Sequence, residues 1–269
     1  MTSATRVLQC YKSTIIESMV MRIAILLLAA PILLSATVLD GKKIRVLVWS
    51  ERTEPAAVYP DGINGAVAGF LQKDSALEVK TANITDPDLG VSDAVLDETD
   101  VLIWFGHTKH AEVPEAVVKR IVTHVKDKGM GYLPLHSSHF ALPFKAILNV
   151  VAPVKDVGAW RAYVNDGMPT RISVTDPGHP IAKGVKEFTI PKTERYDEPF
   201  QVPGPETVVF SGTYADGQHA RQGLCWTIGK GRVFYFRPGH EEYPIFFQPE
   251  VRKILTNAVH WLAGTASGE

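Results

Sequence analysis

The sequence predicts an α/β protein: a flavodoxin-like parallel sheet with helices on both faces, plus a β-rich insertion. Runs such as residues 44–49 and 101–105 are almost entirely apolar, which is typical of strands covered on both faces. Between such runs lie segments with the 3.6-residue apolar spacing of helices, most clearly residues 115–126. Alternation of strand and helix predicts a parallel sheet joined by right-handed crossovers.

The first part of the chain supplies strands and helices in alternation. Its predicted elements are strands at Ile44–Trp49, Leu77–Ala82, Val101–Phe105 and Met130–Leu135, and helices at Ile63–Gln72, Glu115–Lys126 and Phe144–Leu148. Pro114 stands where the first turn of a helix tolerates proline. His124 lies beside the apolar stripe of its helix, so we expect it to face solvent.

After about residue 150 the helical stripes stop and short strand-like runs alternate with proline and glycine. These runs are Arg171–Val174, Phe188–Ile190, Thr207–Phe210, a hairpin of Gly223–Ile228 with Arg232–Phe236, and a closing helix at Pro249–Leu262. No linker-like stretch separates them from the first part, so they are interpreted as an insertion within one domain spanning residues 43–264.

Composition excludes several classes of protein. The 269 residues include 28 basic and 29 acidic side chains with no basic stripe, so a nucleic-acid partner is not expected. There is no P-loop or glycine-rich dinucleotide fingerprint, so no nucleotide cofactor is expected either. Homo-oligomerisation stays open.

The N-terminal residues 1–37 are interpreted as an extension and a signal peptide. Met21-Arg22 precedes about a dozen apolar residues, 23–34, a length that suits a signal peptide better than a membrane span. Cleavage is expected near Ser35-Ala36-Thr37. We therefore expect export to the periplasm or beyond, with membrane contact only through this segment; an uncleaved anchor is the alternative.

Cysteine is scarce, with only Cys10 and Cys225 in the chain. Cys10 precedes the apolar run, so the domain has no internal disulfide to form. Cys225 lies in an apolar strand and is interpreted as a core residue, not a nucleophile.

Polar side chains follow the predicted parallel strands where each strand ends. They are Glu51, His107 with His110, His136 with Ser137 and His139, and the run Arg237 to Glu241. Because the carboxyl ends of parallel strands share one edge of a sheet, we expect these side chains to converge there.

From about Lys43 to Ala263 the chain resembles the trehalose-utilisation (ThuA-like) family, whose fold is similar to class I glutamine amidotransferases. The matching segments are Trp49-Ser50-Glu51, Tyr59-Pro60 with Gly62-Ile63, Leu102-Ile103-Trp104 with Gly106-His107 and His110, Leu135-His136-Ser137, Pro143-Phe144, Trp160-Arg161, His179-Pro180-Ile181, Glu194 to Phe200, Arg221, and Phe234 to Pro244. An amidotransferase needs a thiolate at its strand-to-helix elbow. This chain has His136-Ser137-Ser138 there, which excludes glutamine hydrolysis by that mechanism.

The resemblance implies a carbohydrate-processing protein that acts on a disaccharide or a 3-keto-glycoside by hydrolysis, elimination or isomerisation. One mechanism places a divalent ion, Zn or Mn, on His107, His136 and His240, with Glu198 or Glu241 as fourth ligand or general base. A second uses His240 and a carboxylate as acid and base without metal.

A third mechanism makes Ser137 the nucleophile, His240 its base and Glu241 or Glu242 the orienting carboxylate. The segment around Ser137 lacks the glycines of a G-x-S-x-G elbow. The catalytic candidates across all three mechanisms are thus mainly His136, His240, Glu241 and Glu198.

Several residues are assigned to substrate binding. Glu194, Tyr196 and Glu198 alternate on an extended segment, so they share a face and can clamp sugar hydroxyls; an exposed edge strand is the alternative. The other assigned residues are Glu51, Trp160, Arg161, Arg221 and Tyr243. The alternative function is a non-catalytic, exported carbohydrate-binding module.

Overall fold

The computed structural model describes residues 42–264. The predicted signal segment, residues 1–37, and Cys10 lie outside the described residues. Among residues 42–264, no helix has both the length and the apolar character needed to cross a membrane.

Eleven strands and five α-helices form the described chain. The strands are β1 (Ile44–Ser50), β2 (Leu77–Asn83), β3 (Val101–Phe105), β4 (Gly131–Leu135), β5 (Trp160–Val164), β6 (Thr170–Val174), β7 (Phe188–Ile190), β8 (Arg195–Phe200), β9 (Thr207–Tyr214), β10 (His219–Ile228) and β11 (Gly231–Phe236). The helices are α1 (Gly62–Leu71), α2 (Asp93–Asp97), α3 (Glu115–Thr123), α4 (Leu142–Val151) and α5 (Pro249–Leu262).

Nine strands form one sheet in the order β2-β1-β3-β4-β11-β10-β9-β6-β7. The first five of these strands run parallel, and their order matches the flavodoxin arrangement. The predicted fold class, a parallel α/β core with added β-structure, is confirmed.

The second half of the sheet is antiparallel. The chain returns through the hairpin β10–β11, and β9, β6 and β7 continue the sheet outwards. The predicted insertion is therefore an extension of the same sheet. A separate two-stranded sheet, β5 with β8, was not predicted, because a β5 of mostly exposed residues has no apolar run to signal it.

The alternation of side chains along the parallel strands builds two cores. Val46 and Val48 of β1 face the core covered by α1 and α5, whereas Leu47 and Trp49 face the core covered by α3 and α4. Successive residues of a strand point to opposite faces, so a continuous apolar run is needed to fill both cores. Trp49 stacks on Trp104 of the neighbouring β3, with ring centroids 3.6 Å apart.

The prediction that His124 faces solvent was wrong. The side chain is 1% exposed, with Nδ1 2.9 Å from the Arg120 carbonyl oxygen and Nε2 3.1 Å from Asp97 Oδ1. The α-helix ends at Thr123 and continues as a wider π-type turn over residues 124–128. A stripe extrapolated at 3.6 residues per turn does not hold through such a turn.

Candidate functional site

The carboxyl ends of β1, β3, β4 and β11 lie side by side and carry the candidate site. His107 follows β3, His136 follows β4, and His240 lies on the loop after β11. Ring centroids are 5.7 Å apart for His107 and His240 and 5.6 Å apart for His136 and His240. The three predicted histidines therefore come together, with His240 in the middle.

The side chains that can share one ligand are His107, His240 and Glu241. One donor atom from each lies within 4.8 Å of the others. His107 Nδ1 and Glu241 Oε1 are 2.7 Å apart, and the buried Oε2 of Glu241 has no hydrogen-bond partner. An unpartnered buried carboxylate oxygen is costly, and it is the sign of a group that awaits a ligand.

The electrostatics of this trio follow from burial and mutual contact. Burial alone lowers the pKa of His107, but the hydrogen bond and charge of Glu241 raise it above its ordinary value. Burial likewise raises the pKa of Glu241, but His107 and His240 bring it below its ordinary value. His107 and Glu241 thus favour the charged forms of one another.

His240 is 6% exposed and held in one tautomer. The Glu242 amide donates to its Nδ1 at 3.1 Å, so the neutral ring carries its proton on Nε2. Nε2 lies 4.0 Å from Glu194 Oε2. Burial and the neighbouring His136 lower the pKa of His240, which keeps the ring neutral near pH 7.

His136 occupies the elbow between β4 and the following helical turn. Its backbone φ is +45°, a left-handed conformation that is rare away from glycine and concentrated at functional sites. Nδ1 lies 2.8 Å from the Arg237 carbonyl oxygen, while Nε2 lies 3.0 Å from both Glu194 Oε2 and the Tyr196 hydroxyl.

Both ring nitrogens of His136 are thereby used inside the protein. In the set that converges on one point, Glu241 stands where the sequence analysis placed His136. The elbow presents an imidazole, while Cys225 lies buried in β10, where burial raises the pKa of its thiol.

Glu194 and Tyr196 complete the buried layer behind the histidines. Burial disfavours the Glu194 carboxylate, but hydrogen bonding and charge from His136 outweigh it and lower its pKa to about 2. Burial raises the pKa of Tyr196 well above its ordinary value. Glu194 is therefore an anion and Tyr196 a neutral phenol throughout the physiological range.

Glu51 positions the loop that carries His107. Its buried carboxylate accepts from the backbone amides of Thr108 and Lys109 at 2.8 and 2.9 Å. Ser137 is also committed, since its hydroxyl donates to the Gly106 carbonyl at 2.7 Å. Neither contact leaves these residues facing a substrate, and the Ser137 bond weighs against the nucleophile mechanism.

Glu198 and Arg221 bind each other rather than joining the histidines. Arg221 Nε and Nη2 donate to the two Glu198 carboxylate oxygens at 2.9 and 2.8 Å. Arg161 donates to Asp197 and Gln218 at 3.2 and 2.9 Å and is half exposed. The structure therefore does not bring Glu198, Arg161 or Arg221 to the cluster.

Two further predicted residues frame the site. Trp160 stacks on Phe200 with ring centroids 3.9 Å apart, so this face of the indole is covered. The Tyr243 ring lies 5.6 Å from the His240 ring, and its hydroxyl donates to Asn165 Oδ1 at 2.7 Å. Asn165 Nδ2 in turn donates to Glu242 at 2.9 Å.

The sequence analysis missed the roles of Asn165 and Arg237. Arg237 is fully buried; it donates to the Gln222 side chain and the Glu194 carbonyl, and its guanidinium lies between the rings of Tyr196 and Tyr214. A charge directly after an apolar strand was the available signal. Asn165 had none, because it reaches the site from a loop without a motif.

Comparison with known proteins supplies a family. The model of the family described as "Trehalose utilisation" (ThuA) matches residues 45–262. No protein of curated function matches the sequence. Solved structures with similar folds include a ThuA-like protein from Bacteroides uniformis, at 15% identity, with coverage of 81% of this chain and 91% of that one and a TM-score of 0.60.

Two other similar structures extend the comparison of folds. A cytoplasmic protein from Salmonella typhimurium shows 14% identity, coverage of 81% and 98%, and a TM-score of 0.52. A GMP synthase subunit from Thermoplasma acidophilum shows 15% identity, coverage of 82% and 95%, and a TM-score of 0.52. At these identities the likeness concerns the fold alone, whereas the family match covers most of the sequence. The chain belongs to the trehalose-utilisation (ThuA) family.

Proposed function

We propose that this protein is an enzyme of carbohydrate use that acts on a keto-sugar or disaccharide at a divalent metal site formed by His107, His240 and Glu241. The observation that carries the proposal is their convergence within 4.8 Å at the carboxyl edge of the parallel strands, where α/β proteins place their sites.

The three side chains fit a metal by the chemistry of their donor atoms. Two imidazoles and one carboxylate are the donor set of several catalytic zinc sites, which keep a coordination position open for substrate or water. The unpartnered Oε2 of Glu241 supplies an oxygen without breaking another contact. When bound, Zn or Mn supplies a Lewis acid that polarises a carbonyl oxygen.

Protonation of the site couples to such binding. His107 and Glu241 hold each other charged, and an imidazole must be neutral to be a ligand. We therefore expect metal binding to release a proton from His107 and to weaken as the pH falls.

The surrounding residues supply acid–base chemistry. His240 is neutral and carries its proton on Nε2, so it can donate that proton to a leaving or carbonyl oxygen. Glu194 lies 4.0 Å behind this nitrogen and stabilises the ring when it gains a proton. His136 and Tyr196 hold Glu194 in place through their bonds to it and to each other.

The substrate class is supported by the family, whose description is trehalose utilisation. A keto group beside the glycosidic carbon acidifies its neighbouring C–H, and hydrolysis, elimination and isomerisation of a 3-keto-glycoside all use that activation. The site serves any of the three, because each needs a polarised carbonyl and a positioned acid–base pair.

Metal content tests the proposal directly. The mature protein is purified without chelator beside His107→Ala and Glu241→Gln, with His219→Ala as a control because His219 is exposed on β10. We expect one Zn or Mn per chain in the wild type and control, and loss in both cluster variants. At a free concentration 100 times Kd, the ion stabilises the fold by about 2.7 kcal/mol, so chelation lowers Tm by roughly 5–10 °C.

Turnover of 3-keto-trehalose by the same proteins completes the test. A metal-free wild type that turns over this substrate contradicts the metal site and leaves His240 as acid and base without metal. A wild type with neither metal nor turnover, but with sugar binding, supports the carbohydrate-binding module instead.

A further inference from the structure

A second cavity lies beside the histidine cluster and shares no residue with it. Its volume is about 300 Å³, and it is bounded by the segment 166–170, the start of β8 and the end of β9. The residues that define its chemistry are Asp166, Met168, Thr170, Arg195, Tyr214 and Asp216.

The floor of this cavity contains polar atoms without partners. Thr170 is 1% exposed, and its Oγ1 is buried with no hydrogen bond. Arg195 Nε is likewise buried and unpartnered, although its guanidinium pairs with Asp216. Leaving buried polar groups unpartnered costs about 1–3 kcal/mol each, so a ligand that hydrogen-bonds to them recovers that cost.

The cavity is suited to a neutral, hydroxyl-rich ligand. Its charges are those of Arg195, Asp166 and Asp216, which leave no excess positive charge to hold an anion. The unpartnered groups are a hydroxyl, which donates and accepts, and a guanidinium N–H, which donates. Tyr214 uses its own hydroxyl to bond the Tyr196 carbonyl, so it offers the cavity mainly an apolar ring.

Size points to one ring of such a ligand. About 300 Å³ is at the lower limit for small-molecule sites. Half-exposed Met168 adds an apolar rim against which the C–H groups of a sugar ring can pack. A single pyranose unit combines the required hydroxyls with an apolar face.

The cavity connects to the histidine cluster through a short piece of chain. Asn165 contacts Glu242 and Tyr243, and the next residue, Asp166, lines the cavity. Gly167 has a φ of +65°, and a Cβ there lies 3.2 Å from the Tyr243 hydroxyl. A ligand in the cavity thus contacts the segment that packs against the loop of His240.

We propose that this cavity is a binding site for one neutral pyranose unit, separate from the metal cluster and held by the Thr170 hydroxyl and Arg195 Nε. The choice of probe rests on the proposed function; the assignment of ligand class rests on the cavity.

The test is calorimetric titration of the full-length protein with trehalose and, separately, with D-glucose. Thr170→Val keeps the shape of the side chain and removes its hydroxyl. Ala215→Trp fills the cavity from its exposed rim without removing any hydrogen bond. Thr189→Val, on the exposed side of β7, is the matched control.

We expect both sugars to bind the wild type, the Thr189→Val control and His107→Ala alike. In Thr170→Val, the loss of one hydrogen bond raises Kd about three- to tenfold. In Ala215→Trp, binding at the cavity is abolished. Circular dichroism and thermal melting verify that each variant is folded.

Unchanged binding in both Thr170→Val and Ala215→Trp overturns the proposal, as does the absence of binding to the wild type. Failure of the metal proposal is recognised separately, because metal content and turnover of 3-keto-trehalose depend on His107 and Glu241, not on the cavity. Loss of sugar binding in His107→Ala with retention in Ala215→Trp also overturns it, by placing the sugar at the cluster.

Discussion

The two edges of the parallel sheet each hold a buried histidine beside a carboxylate, and they differ in whether their polar groups are satisfied. At the amino edge, both nitrogens of His124 have partners, and Asp97 also bonds Lys128. At the carboxyl edge, Glu241 Oε2 and both nitrogens of His110 are buried without hydrogen bonds.

The amino edge also borders a cavity of about 320 Å³, yet its buried histidine has no nitrogen left for a ligand. The comparison teaches that space alone does not mark a site. Unsatisfied polar atoms converging on one point are the more informative sign, because evolution removes that cost where no ligand offsets it.

Substitution of the two buried histidines gives the largest expected difference. His136→Asn keeps a residue that tolerates positive φ but leaves Glu194 buried without its main partner, which costs about 3 kcal/mol or more. His124→Asn loses bonds to a carboxylate that Lys128 still holds, which costs about 1 kcal/mol. Urea unfolding of both variants measures the free energies; equal losses contradict the distinction between the edges.

Acid titration sharpens the comparison next. The pKa of Glu194 is lowered from an ordinary 4.5 to about 2 in the folded state, so its contribution is present above pH 4.5 and is lost as the pH falls towards 2. The contribution is at most about 3 kcal/mol. Glu194→Gln removes this dependence.

The control at the amino edge is Asp97→Asn. The contact with Lys128 lowers the pKa of Asp97, but the carboxylate is half exposed, so this variant is expected to keep the acid loss of the wild type. The measurement is the free energy of unfolding between pH 6 and pH 3. A steep loss that persists in Glu194→Gln assigns the acid sensitivity to another carboxylate.

The smallest expected effect concerns Glu198. Because it is paired with Arg221 and partly exposed, Glu198→Gln is expected to lower stability by about 1 kcal/mol and to leave metal content unchanged. Loss of metal or of turnover in this variant, with the fold intact, restores Glu198 to the catalytic set.

Much of the fold could be predicted because its parallel strands are apolar on both faces. Val101–Phe105 alternates between two cores, so every position requires an apolar residue and the run is easy to recognise. The β5–β8 pair lacks such a pattern, since β5 is largely exposed. The burial of His124 was mispredicted because the helix widens at its end.

The site could be predicted to the level of the sheet edge. Strand ends place His107, His136 and His240 together because parallel strands share a direction. Which atoms converge could not be predicted, since this depends on side-chain orientation. His136 turns its nitrogens towards Glu194 and Arg237, and Glu198 turns towards Arg221.

The sequence by itself determined the family, the α/β class and the edge at which ionisable groups meet, because these follow from hydrophobic periodicity and strand order. Only the tertiary structure decided that Glu241 completes the histidine pair, that Glu198 is bound to an arginine and that Thr170 lies unpartnered in a cavity. Hydrogen bonds have a reach of about 3 Å, so their pairing depends on how distant segments pack.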